Sequence, residues 1–558
     1  MSGWTILAAV AAPPLILAVL LVTPLRRLVP ALTVVAPAPA LVAAIWAPGR
    51  ASATVEPLVL GLSLGFDDVA GVLLVQVAAM WSLAGLHLVR GRPFGRRFPV
   101  LCLLLTMVGS LGTVVALDMV SFYVFLSIMT VASYGLVETG RHDPEERRAA
   151  RIYLGLALLG EFLALVAFLL MAAGMDGAEY VWLLYFGLGS KLGVLPLHVA
   201  LPLVYRAAPP VGAAVMGGVL LTSTAVGWLR FLPDAGAALE TAVPALLTAG
   251  LAAAFLGALL GLLQREARAA LGYSTVSQMG LLTAFTAVAA AEPHTWSAVL
   301  PVLALFLVHH GFCKGGLLLA MDRAGAAVGA VRRAVLVVLS LALAAAPATG
   351  GAVAKLWIKE EEHRLPGVWH DVAAQLLPFT SVATALLMAR IVWLAIHAAP
   401  RRSQDGRSGP LPAALAAVGA MVLPWQIVMG VHHEPLHLVF SRSHLWATTW
   451  PVLLGLALFL MVAVAERAGR RLPPVPAGDI LEPSVRLWRA VEPARAMRAG
   501  VAGMARARRI ISRRTRRGVV ITFQRLRYAE RGFRDLRIMG TAFAGLVIML
   551  SLMIVFWR

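Results

Sequence analysis

Charge is scarce in this chain: only 14% of its 558 residues are Asp, Glu, Lys or Arg, against roughly 25% in an ordinary soluble domain. That scarcity, with 60% hydrophobic residues and a mean hydropathy of +0.82, excludes a soluble enzyme. Cysteine is almost absent. Cys102 and Cys313 are the two present, and both lie inside apolar runs, which excludes a disulfide framework and a Cys-rich metal or iron–sulfur site. No nucleotide-binding loop, flavin fingerprint or metal-ligand cluster is legible, so no cofactor and no metal are expected. Any redox centre must sit in a partner.

Apolar runs of about 20 residues recur from Trp4 almost to the last residue, each long enough to cross roughly 30 Å of hydrocarbon as a helix. They are continuously apolar, not alternating, and inside lipid only helices or closed barrels satisfy their own backbone, so helices are expected. The pattern predicts an all-α polytopic membrane protein of about sixteen transmembrane helices. The first run lacks a basic flank and a small-residue cleavage site, and reads as helix 1 and not as a removed signal.

Lys and Arg number 48 against 28 acidic residues, and the excess is uneven. Between Arg467 and Arg537 stand 19 Arg against Asp479, Glu482, Glu492, Glu530 and Asp535. Leu487, Trp488, Val491, Met497, Ile510, Phe523 and other apolar residues interrupt that Arg run, which argues against nucleic acid. It favours an amphipathic segment lying along a membrane surface or a neighbouring subunit. Ile538 to Trp557 would form the last span. Arg26/Arg27, Arg90 to Arg97, Arg141 to Arg151, Arg206, Arg265/Arg268, Arg323 to Arg333 and Arg401 to Arg407 occupy alternate loops. By the positive-inside rule these loops are cytoplasmic, the N-terminus is outside, and fifteen helices precede the basic segment.

Lysine is rarer still: Lys191, Lys314, Lys355 and Lys359 are the whole set. A chain that uses Arg elsewhere yet keeps Lys inside apolar runs exploits what Arg lacks, because a desolvated Lys can release its proton. Lys359, beside Glu360, Glu361 and Glu362, reads as a residue snorkelling to the headgroups. Lys355 stands near the end of its run, where snorkelling and function compete. Lys191 and Lys314, with apolar residues on both sides, are read as functional, since an intramembrane charge is costly. Pro196 and His198 follow Lys191, and Pro347 with Gly350-Gly351 precedes Lys355, so both lysines border expected helix breaks, as transport sites do in inverted-repeat transporters. His310, one turn before Lys314, extends a proton relay. His309 and His87 read as buried, structurally satisfied histidines. His432 to His437 (HHEPLH) has one carboxylate and no supporting ligands for a metal.

At these residues the chain resembles the antiporter-like, proton-conducting membrane subunits shared by respiratory complex I, Mrp-type cation/proton antiporters and membrane-bound hydrogenases. The resemblance runs from about Ser121 to Lys359. It rests on GLGSKLGVLPLHVALPLVYRAAPP, LLQREARAALGYSTVSQMGL, HHGFCKGGLLL and APATGGAVAK in that order. It implies two inverted five-helix repeats, helices 4 to 8 over 98–230 and helices 9 to 13 over 241–397. Helices 1 to 3 precede them (1–97), and helices 14 and 15 follow (411–466). A basic lateral segment (467–537) and a last helix (538–558) then resemble the end of the most distal complex I subunit type. Lys191 matches the family's helix-7 lysine, His310 and Lys314 its helix-11 pair, and Lys355 its helix-12 charged site.

Two positions depart from the pattern. Ser127 stands where the family carries a glutamate that pairs with the helix-7 lysine, and Thr222 where it carries a helix-8 lysine or histidine. A hydroxyl can hold water but stores no charge. Glu161, in the next helix, is either a substitute partner for Lys191 or an inert charge facing a neighbouring helix.

The implied function is proton translocation, or cation/proton exchange with Na⁺ or K⁺, by a subunit that works with other membrane subunits in the cell inner membrane. It would have no catalytic centre of its own and could serve an NADH:quinone oxidoreductase-like or hydrogenase-like pump. The rival readings are a degenerate, non-conducting scaffold, for which Ser127 and Thr222 speak, and a membrane partner in energy-coupled uptake of inorganic carbon.

Overall fold

A computed structural model describes residues 3–46, 51–56, 61–67, 69–90, 97–138, 144–290, 295–322, 328–361, 365, 367–397, 409–431, 440–470 and 472–478. Most of the basic segment, the last span, and His432 to His437 lie outside these residues. So does the Lys359 side chain.

Twelve helices among the described residues are long and apolar enough to cross a membrane. In chain order they are α1 (Gly3–Leu20), α2 (Pro24–Trp46), α3 (Ala70–Arg90), α4 (Arg97–Val115), α5 (Met119–Val137), α6 (Pro144–Ala172), α7 (Gly177–Ala207), α8 (Pro210–Ala235), α9 (Ala237–Leu262), α11 (Thr295–Ala320), α13 (Val368–His397) and α15 (Arg442–Arg467). Three more elements bring the twelve to fifteen. Helix α10 (Ala267–Ala289) is long enough but carries buried Ser274, Thr275, Ser277, Gln278, Thr283 and Thr286. Helix α12 is split into Ala330–Leu343 and Gly350–Glu361, and α14 spans Leu411–Val431. The chain is thus an all-α polytopic membrane protein in its spanning part.

One element was not legible beforehand. A hairpin of β1 (Ala51–Val55) and β2 (Leu62–Phe66) joins α2 to α3, antiparallel with Val55 opposite Leu62. It is fastened to the α4–α5 turn: Leu117 N–H donates to Ser63 O at 3.0 Å, and Ser63 N–H donates to Asp118 Oδ2 at 2.9 Å. Asp118 Oδ1 also caps α5, accepting from the Val120 and Ser121 amides, which satisfies two donors a helix start otherwise leaves orphaned. Asp67 likewise accepts from Val69 and Ala70 at the start of α3 and binds Arg230 of α8 at 2.6 Å.

The apolar pattern sorts the helices. In α6 and α15 apolar side chains such as Phe162, Leu460 and Met461 remain exposed, the expected state of a lipid-facing surface. Helices α8, α10 and α11 are buried almost all round, so their polar residues are enclosed by protein and not offered to lipid. A helix enclosed by neighbours can hold hydroxyls that a lipid-facing one cannot.

Candidate proton-relay site

Helix α7 breaks after Leu192. Gly193 takes φ 82° and its amide donates to Gly189 O at 2.8 Å, a left-handed cap that a Cβ would disfavour. The chain then makes a short turn over Leu197–Val199 before Ala200–Ala207 resumes the helix. Lys191 therefore sits in the last turn of a helix segment, where the negative end of the helix dipole favours a cation. Its Nζ lies 3.3 Å from Glu161 Oε1 of α6, with both side chains buried, and 3.4 Å from Ala157 O. Glycine makes that approach possible: a Cβ on Gly160 would collide with Ser190 Oγ and Gly187 O of α7. Ser127 lies beside Tyr123 on its own helix, and Tyr123 and Tyr153 are within electrostatic reach of Glu161. The partner of Lys191 is thus Glu161, not Ser127. His198 lies on the turn after the break, 6.2 Å from the Tyr273 ring.

Lys314 is fully buried in the last third of α11. Its Nζ donates to Ser274 Oγ of α10 at 2.6 Å and to Leu271 O at 3.4 Å, and no carboxylate pairs with it among the described residues. His310 lies one turn away, stacked on Phe306, and neither ring nitrogen has a protein partner. Across from α11, α8 contains a widened turn at Met216–Leu220, of the kind that recurs at functional sites. Gln76 of α3 donates to Gly218 O there at 2.7 Å. One turn on, the hydroxyls of Thr222, Ser223 and Thr224 are buried without a protein partner, as is Gln76 Oε1. Buried polar atoms ordinarily find hydrogen bonds, and these four have none to protein.

Lys355 lies in the second half of α12 and donates to Ser381 Oγ of α13 at 2.8 Å. The break before it is shaped by Ala345 and Ala348, both at φ 62°. Two helices close on this break. His309 of α11 meets Ala342 O at 3.1 Å, and Trp425 of α14 donates to Ala348 O at 3.2 Å.

The three lysines therefore occupy separate stations, each with its own oxygen partner. Sequence reasoning did not find Ser274, Ser381 or Gln76; buried serines and glutamines were the available signal. It also left unpaired the buried contact of His87 with Asp322 at 3.0 Å and the two-pronged one of Arg390 with Glu466 at 2.6 and 3.0 Å. Among the described residues no group of three or more His, Cys, Asp or Glu could hold a metal ion.

With this geometry in view, residues 116–361 match the family model described as NADH:quinone oxidoreductase/Mrp antiporter, TM. That stretch of the chain is similar to this family. It contains Ser127, Glu161, Lys191, Thr222, His310, Lys314 and Lys355. Hydrogenase-4 component B of Escherichia coli is 30% identical over 224 residues, 36% of this chain and 33% of that protein. NADH-quinone oxidoreductase subunit M of Pseudomonas aeruginosa is 30% identical over 202 residues, 31% of this chain and 40% of that one. Subunit N of Desulforudis audaxviator is 29% identical over 281 residues, 46% of this chain and 55% of the relative. The chain thus spans about a third to a half of these relatives' length. In fold it is similar to a chain of the Mrp complex from Dietzia sp., with a TM-score of 0.69 and 20% identity over 94% of this chain and 62% of that one.

Proposed function

We propose that this protein is a proton-translocating subunit of a multisubunit membrane assembly, exchanging protons for a cation where its partners require it. Protons would load and leave Lys191 and Lys355 through His310, Lys314 and the water held by Thr222, Ser223 and Thr224. The antiporter-family stretch and the hydrogenase and NADH-quinone oxidoreductase subunits it is similar to support this reading. The buried Glu161–Lys191 pair at 3.3 Å carries it, because it supplies from α6 the carboxylate that Ser127 cannot. Two buried charges at this separation interact strongly enough to move a lysine proton equilibrium when either changes state. Lys355, with a serine and not a carboxylate beside it, would answer to a different neighbour.

The repeats are read as α4–α8 and α9–α13. What supports this is that the broken helices, α7 and α12, each stand fourth in their set of five, and that each break borders a lysine. The basic loops would face the cytoplasm across the cell inner membrane, with the lateral segment on the same side. Other membrane subunits would supply the driving reaction.

The test begins with mild solubilisation of native membranes and capture of the tagged chain with its partners, identified by mass spectrometry. The assembly is then reconstituted in vesicles and its proton movement recorded with a pH-sensitive dye. Lys191→Ala and Lys355→Ala should each abolish the signal. Undiminished movement in both would overturn the reading and favour a scaffold.

A further inference from the structure

Lys314 and Lys355 each donate to a serine on a neighbouring helix: Lys314 to Ser274 of α10 at 2.6 Å, and Lys355 to Ser381 of α13 at 2.8 Å. The two serines are joined in turn. Gln278 stands one turn beyond Ser274 on α10, and Thr384 three residues beyond Ser381 on α13, spacings that put each pair on one helix face. Gln278 Nε2 donates to Thr384 Oγ1 at 3.2 Å, and both side chains are almost wholly buried. Thr384 fixes the direction of this bond. Its hydroxyl donates to Thr380 O at 2.7 Å, so it has only lone pairs to offer the amide.

Helices α10 and α13 pack against each other and are three spans apart in the chain, so they run in opposite senses. The step from Ser274 to Gln278 and the step from Thr384 to Ser381 therefore advance the same way, away from Arg268 on α10 and Arg390 on α13. Together they cover seven residues of helix, about 10 Å, or about a third of the hydrocarbon thickness. An apolar pair of similar size would seal this interface equally well, because a buried neutral hydrogen bond contributes little net stability. What the polar pair adds is continuity of donors and acceptors from one serine to the other.

We propose that Gln278 and Thr384 are a positioning pair that joins the Lys314 and Lys355 stations into one polar stripe, so that a proton released by Lys314 reaches Lys355 across the α10–α13 interface. The amide carries no proton; it holds the two serines in register. Each serine hydroxyl both accepts and donates, so it takes a hydrogen bond from a charged lysine and gives one to a neutral lysine. Water in the stripe carries the proton between the two hydroxyls. In net terms the Lys314 ammonium becomes an amine and the Lys355 amine becomes an ammonium, with the total charge unchanged. This deepens the proton-relay reading and rests on it for the roles of both lysines.

The test is proton movement in vesicles carrying the reconstituted assembly, recorded in H₂O and in D₂O, beside a melt of each variant. Thr384→Val keeps the branched shape and removes the hydroxyl. It should fold and move protons roughly tenfold more slowly, since proton transfer tolerates little misplacement. Its further slowing in D₂O should exceed that of the unaltered chain, because the transfer step has become limiting. Thr384→Ser should keep most of the rate and the ordinary isotope effect. Gln278→Met breaks the same bond from its other side and should match Thr384→Val, and the two combined should be no slower than either alone, as for residues acting through one contact. A folded Thr384→Val that moves protons at the unaltered rate, or that is slowed with an unaltered isotope effect, overturns the inference. If Lys355→Ala abolishes movement while Thr384→Val leaves it intact, the stripe falls and the relay stands; undiminished movement in both Lys314→Met and Lys355→Ala sinks the relay reading beneath it.

Discussion

Glu161 and Lys191 lie 3.3 Å apart between α6 and α7, each almost wholly withdrawn from solvent. Removing one charge of such a pair strands the other, which typically costs about 3–5 kcal/mol, whereas replacing both with apolar groups of similar size is close to neutral. Glu161→Leu and Lys191→Met should each therefore lower the thermal stability of the purified chain markedly, and the two combined should recover most of it. None of the three variants should move protons. Thermal melts of the four members of this cycle, beside vesicle assays, check both halves; additive losses in the double variant would contradict the pairing.

The close approach of α6 to α7 depends on Gly160. Since a Cβ there meets Ser190 Oγ, Gly160→Ala should cost about 1–3 kcal/mol, as overpacking usually does, and should slow proton movement by parting Glu161 from Lys191. Ser190→Gly in the same chain should restore part of both. A melt and a vesicle assay on the single and double variants decide it.

These two residues also show what was readable in advance. Lys191 stood out because lysine is so rare here, and its intramembrane position needed only an apolar run on either side. The partner was undecidable because a helix places a carboxylate on one of several faces, and which face meets α7 is set by Gly160, Gly187 and Ser190 packing across the interface. The count of about sixteen helices came from hydropathy and from the alternation of basic loops, and α10, too polar to pass as a span by composition, fell within the expected second repeat over 241–397. The hairpin was not read because ASATV and LSLGF are five-residue segments, too short to be told from a loop beside twenty-residue helices. His309 was read as a satisfied core histidine, and its position against the α12 break depends on contacts from α12 and α14 that no local pattern encodes.

Lys314 holds its place through Ser274 at 2.6 Å, the shortest of its contacts. Losing such a buried hydrogen bond typically costs about 0.5–1.5 kcal/mol, so Ser274→Ala should lower the stability of the chain by about that much and slow proton movement by loosening Lys314. Ser274→Thr, which keeps the hydroxyl, should retain most of the rate. Equal loss in both variants would assign Ser274 to packing alone.

Outside the spanning helices, acid sensitivity should trace to Asp67. Burial pushes its carboxyl up, but the hydrogen bond and charge of Arg230, with the Ala70 and Val69 amides, outweigh this and hold it below its ordinary 3.8. A depressed folded value means the unfolded state binds the proton more tightly. The contribution is present in full above about pH 4 and is lost as pH falls through the lower folded value. Asp67→Asn should cost about 1–3 kcal/mol at pH 7 and should flatten the fall in stability below about pH 4. Melts of the purified chain between pH 3 and 7 show whether the two curves converge on the acid side.

The central claim is that Lys191 works by losing and regaining a proton, not by being a fixed positive charge. Arginine keeps the charge and can still meet Glu161 but does not deprotonate in a protein. The direct measurement is proton movement in vesicles carrying the reconstituted assembly with Lys191→Arg, alongside a melt showing that the variant is folded. The prediction is a folded chain with proton movement abolished. A folded Lys191→Arg assembly that moves protons at the unaltered rate would contradict it.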